Sequence, residues 1–79
     1  MRLLIIRNAD APLLALLDLD RKDQKIVLIQ NAVYSEALRA KNAQLLEDDA
    51  RARKIESANT ISYDQLLDAV MSAGKVVCI

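Results

Sequence analysis

Short, unbroken apolar runs constrain this chain more than any other feature. They occupy residues 3–6 (LLII), 26–29 (IVLI) and 76–79 (VVCI). A strand with one wet face alternates apolar and polar side chains, whereas a strand covered on both faces is apolar throughout. Short continuous runs rich in Ile, Val and Leu therefore read as strands of a parallel sheet with helices on both sides. The flanks agree: Arg2 and Arg7 bracket the first run, Lys25 and Gln30 the second, and Gly74-Lys75 introduces the third.

Parallel strands need crossover connections, and helical patterns fill the gaps. Asp10 stands where it would cap a helix that tolerates Pro12 in its first turn. Leu13, Leu16 and Leu17 then share one face and Leu14 widens it, so this helix is apolar over more than half its circumference. Asn31 is placed to cap a helix over residues 32–39. Residues 43–46 form a weaker strand candidate that runs into Glu47, Asp48 and Asp49, followed by Arg51, Arg53 and Lys54. Acids first and bases last suit the helix macrodipole, which reads as a solvated helix. Thr60 and Ile61 suggest a further short strand. Ser62 and Gln65 make a capping box before Leu66, Leu67, Val70 and Met71, and Gly74 is placed to end that helix in a left-handed turn. The expected fold is α/β: a three-layer α/β/α single domain spanning residues 1–79, with a small, mostly parallel sheet of four to five strands.

Such a domain is short of buried surface. A chain of 79 residues forms one core and leaves it marginal without a supplement. Cys78 is the only cysteine, so no internal disulfide exists, and the lack of histidine leaves too few ligands for structural zinc. Association with another subunit is the remaining supplement. The core must be built from Leu, Ile, Val and Ala, because 53% of residues are hydrophobic with no Phe or Trp. Eleven basic residues balance eleven acidic ones, which provides no electrostatic footprint for nucleic acid or an anionic membrane. The start of the chain is too soon interrupted by charge for a signal peptide, no run approaches membrane-span length, and the cytoplasm is the expected compartment.

Catalytic equipment is sparse. Without histidine there is no Ser-His or Cys-His pair, and one glycine is too few for a phosphate-binding glycine loop. No cofactor is expected. Adjacent acids at Glu47, Asp48 and Asp49 do not converge on one cation. Cys78 alone has nucleophilic chemistry; in an apolar strand it reads first as a small buried hydrophobe and second as a persulfide acceptor.

Longer stretches resemble a known family. Residues 25–34, KIVLIQNAVY, look like the "KIVLIQNGV" segment of the DsrH/TusB family of sulfur-relay proteins. Residues 47–53, EDDARAR, are similar to the acidic helix start that precedes an Ala-Arg-Gly turn in that family. Residues 61–67, ISYDQLL, resemble its late "I-x-Y-x-x-F/L" helix entry. The motifs occur in order across nearly the whole chain. Ala32 and Lys54 stand where the family pattern has glycine, and the early cysteine of some members has no counterpart.

The resemblance implies an assembly subunit that associates with DsrE/TusD-like and DsrF/TusC-like chains. A cysteine of the DsrE/TusD-type subunit would hold the persulfide and pass sulfur to a DsrC/TusE-like carrier. The implied destination is tRNA wobble-uridine 2-thiolation or sulfur oxidation, with a homodimer when the subunit is isolated. Two alternatives stand beside it: a persulfide carrier using Cys78, and a stand-alone homodimer unrelated to sulfur.

Overall fold

In the computed structural model, residues 2–10, 12, 19–20, 22–57 and 59–79 are described. They form five parallel strands: β1 Arg2–Ile6, β2 Gln24–Leu28, β3 Gln44–Leu46, β4 Thr60–Ile61 and β5 Lys75–Cys78. Their order across the sheet is β4-β3-β2-β1-β5. Each apolar run lies in or against a strand, and the two short candidates become β3 and β4. The expected small α/β domain is therefore the fold observed, with every described pairing parallel.

Strand order places the layers. Successive steps from β1 to β4 run one way across the sheet, and right-handed crossovers put those connections on one face. The step from β4 to β5 runs back across the whole sheet, so its connection belongs on the other. The apolar clusters agree. On one face Leu4, Ile6, Ile26, Leu28 and Leu45 pack with Ala32, Val33, Leu38 and Ala50 from the helical segments after β2 and β3. On the other, Leu3, Val27 and Ile61 pack with Leu66 and with the half-buried Ala69, Val70 and Ala73. β1, β2 and β3 are the inner strands, and Leu3, Leu4, Ile6, Val27, Leu28 and Leu45 are at most 1% exposed. Each such burial contributes roughly 1.5–3 kcal/mol.

The return connection is the helix α3, Tyr63–Ser72. Its capping box forms as the sequence requires: the Gln65 N–H donates to Ser62 Oγ at 3.2 Å, and the Ser62 N–H donates to Gln65 Oε1 at 3.0 Å. Its end differs from expectation. Ala73 leaves the helix in an extended conformation (φ −72°, ψ 139°), and Gly74 has no positive φ. The chain passes straight into β5, so no left-handed reversal is needed. Leu67 and Met71 also depart from the core role that their spacing suggests: they are 44% and 86% exposed. Small Ala69 and Ala73 bring a neighbouring stripe of α3 down onto the sheet instead.

The segment after β2 departs in another way. Asn31 does not cap a single helix over 32–39. A 3-10 helix, Gln30–Tyr34, is followed by α1, Glu36–Arg39. The break is at Ser35, extended at φ −77° and ψ 109°, whose Oγ accepts the Leu38 N–H. The leucine-rich segment expected to follow Asp10 falls at residues 13–18, outside the described residues. Asp10 itself lies in a turn, its N–H donating to Asn8 Oδ1 at 2.9 Å.

The acidic segment forms α2, Glu47–Ala52. It closes with the Ile55 N–H on the Ala50 carbonyl (2.9 Å) and the Lys54 N–H on the Arg51 carbonyl (3.1 Å). This pair defines a Schellman cap, whose central residue is left-handed and is commonly glycine. Here that residue is Lys54, with φ 56°. A side chain costs about 1–2 kcal/mol in this conformation. Part of that returns when the unfolded chain gains glycine's freedom. Replacement of Lys54 by glycine should therefore raise unfolding stability by about 0.5–1 kcal/mol, read from urea denaturation.

Candidate functional site

Ligand sites in parallel α/β sheets gather at the carboxyl ends of the strands, where the connecting loops meet. At this end the turn after β2 lies against α2. Gln30 adopts φ 51°, and its N–H donates to Asp49 Oδ2 at 2.8 Å. Arg53 reaches Asn31 Oδ1 at 3.4 Å through Nε and pairs with Asp49 Oδ1 at 3.7 Å through Nη1. Glu47 pairs with Arg51 at 2.6 Å. The segments 25–34 and 47–53, distant in sequence, thus meet through Gln30, Asn31, Asp49 and Arg53.

The chemistry of this cluster is positional. Asp49 directs one oxygen at a backbone N–H and the other at a guanidinium, so its charge is spent within the fold. Both Asp49 and Arg53 side chains are about three-quarters buried (25% and 24% exposed). The cluster holds the left-handed Gln30 and so sets the path of the chain from β2 into the 3-10 helix. Asn31, expected to cap a helix, serves instead as an acceptor for Arg53. Its neighbour Ala32 is fully buried and has no positive φ.

Cys78 lies elsewhere. It is in register with Ile5 at the outer strand of the sheet and is exposed. The buried setting expected for it is not observed. The reason is its place in the topology: β5 has β1 on one side only, and Val76 on the same strand face is 41% exposed. Strand alternation directs Lys75 to the opposite face, so it is not presented beside the thiol.

Two open clefts lie at the amino ends of the strands. One of about 840 Å³ is bordered by Lys22, Lys25, Lys41, Asn42 and Gln44, where Lys41 pairs with Asp20 at 3.0 Å. The other, of about 390 Å³, lies between α3 and the β2–β4 strands. The two share Lys25 and Gln44. Reading the runs as purely apolar passes over these residues, because Lys25 sits just before the run it introduces and Gln44 lies inside the weak 43–46 candidate. A polar residue repeated at in-facing strand positions was the available signal.

A third surface is apolar. Tyr63, Leu67 and Met71 recur every fourth residue along the outer side of α3, and Tyr63 is 58% exposed. Single exposed apolar residues are ordinary, but an aligned row is the usual form of a contact surface. Among the described residues no helix is long and apolar enough to cross a membrane. No family model, no curated protein and no solved structure matches the chain.

The Asp49 contact makes a direct prediction. Asp49→Ala removes an ionised acceptor from a backbone donor and should destabilise the fold by about 1.5–3 kcal/mol. Asp48→Ala, one position along on an exposed part of α2, should change stability by less than about 0.5 kcal/mol. Equal effects in chemical denaturation would contradict the positional role.

Proposed function

We propose that the chain is a non-catalytic subunit of a cytoplasmic sulfur-relay complex of the DsrH/TusB kind, assembling with DsrE/TusD-like and DsrF/TusC-like partners. The observation that carries the subunit half of this reading is the exposed apolar row Tyr63, Leu67 and Met71 on the only described helix of its face. A helix whose inner side is already seated on the sheet needs no apolar outer side for its own stability. A partner does.

The relay half rests on the resemblance of the motifs, and two features of the structure support it. Segments 25–34 and 47–53 touch, as joint parts of one structural unit should. Lys54, at the position where the resembled pattern has glycine, takes a glycine-like φ of 56°. The sulfur would be carried by a partner's cysteine toward a DsrC/TusE-like carrier, ending in tRNA wobble-uridine thiolation or sulfur oxidation.

Co-expression with DsrE- and DsrF-like chains from the same genome tests the reading. A stable ternary complex is the expected result. Leu67→Glu and Met71→Glu should abolish it while altering the stability of the isolated chain by less than about 0.5 kcal/mol, as exposed sites do. Failure of the wild-type chain to bind either partner would end the proposal.

The exposure of Cys78 favours one second reading, a persulfide carrier. In that reaction the Cys78 thiolate attacks the outer sulfur of a desulfurase persulfide. A new S–S bond forms at Cys78 as the donor's S–S bond breaks, leaving the donor thiolate to take up a proton. Mass spectrometry of the chain after incubation with a cysteine desulfurase and cysteine would show one added sulfur atom on Cys78. An unmodified Cys78 beside a labelled positive control removes this reading.

A further inference from the structure

Helix α3 has a third side. Gln65, Asp68 and Ser72, at helical spacing, line the cleft of about 390 Å³ together with Lys25 and Gln44 from the sheet. The strand residues point to the α3 face. Lys25 is in register with Leu3 and Gln44 with Val27, and both partners belong to the core beneath α3. Elsewhere that core consists of Leu3, Val27, Ile61 and Leu66. A cation and an amide at in-facing positions depart from the apolar pattern that packing alone favours.

These groups are not consumed by one another. Among the described residues neither Lys25 nor Asp68 forms an ion pair, although both border the same cleft. Gln44 Oε1 is buried and accepts no hydrogen bond. The cleft thus has a positive and a negative group on its lining, and it is bordered by Gln44, whose side-chain acceptor is unpartnered. An anion alone would meet Asp68 unfavourably, and a cation alone would meet Lys25. A ligand carrying both signs satisfies both and supplies N–H donors for Gln44.

We propose that this cleft binds a small zwitterion of the α-amino-acid class. The ligand carboxylate pairs with Lys25, and its ammonium group pairs with Asp68 and donates to Gln44 Oε1. Ser72 and Gln65 supply polar contacts at the rim. The size of the cleft lies at the lower end of the range for small-molecule sites. The proposal is independent of the sulfur-relay reading and uses no residue of the apolar row.

Titration of the isotope-labelled full chain with glycine, L-serine and L-glutamate, followed by amide NMR shifts, tests it. Saturable shifts should centre on Lys25, Gln44, Asp68 and Ser72 for at least glycine. Acetate and methylammonium, each bearing one of the charges, should bind at least about tenfold more weakly. Lys25→Met and Asp68→Asn should each weaken glycine binding by about tenfold or more. Asp68 is exposed on α3, so Asp68→Asn keeps the fold, and its spectrum verifies this. The absence of saturable shifts, equal binding of acetate, or unaltered affinity in folded Asp68→Asn would each overturn the proposal.

Discussion

The return of the chain from β4 to β5 sets the conditions for the rest of this structure. These strands lie at opposite edges of the sheet, and the connection between them includes the ten-residue helix α3. A helix with its side chains is about 10–12 Å across, whereas four strand spacings span about 19 Å. Among the described residues, one helix therefore serves a face that it cannot fully cover. Leu3, Val27 and Ile61, beneath it, are buried, while Val76 and Cys78, at the β5 edge, remain exposed. The opposite face receives the 3-10 helix, α1 and α2, and holds the larger apolar cluster.

This asymmetry distributes the exposed chemistry. The three sides of α3 divide between a sheet-facing stripe, an outer apolar row and a polar flank over Lys25 and Gln44. The uncovered edge leaves the thiol accessible without placing Lys75 on its side of the strand. Short domains commonly rely on partners for part of their buried surface. Among the described residues the exposed apolar row lies on the thinner layer.

The thicker layer is held by more specific contacts. Asp49 satisfies the backbone of Gln30 and pairs with Arg53, which also reaches Asn31. These interactions join the turn after β2 to the helix after β3, where the left-handed residues Gln30 and Lys54 both occur. The acidic cluster, which reads in sequence as the start of a solvated helix, is thereby engaged in local structure. Two of its three charges are matched at helical spacing, Glu47 to Arg51 and Asp49 to Arg53.

Continuous apolar runs, the Ser62–Gln65 capping box and the charge order of α2 were sufficient, from sequence alone, to indicate a parallel α/β domain. These are local signals: strand coverage, cap chemistry and helix polarity are expressed within a few neighbouring residues. Tertiary structure alone decided which side of α3 is buried, because alanines at 69 and 73 permit a close approach that a count of large apolar residues overlooks. It also decided that Cys78 is exposed, since the same apolar sequence is buried in a central strand and open at an edge. The cleft required both decisions together. Lys25, Gln44 and Asp68 border one cleft only when strand register and helix rotation are fixed, and neither quantity is encoded within a single segment.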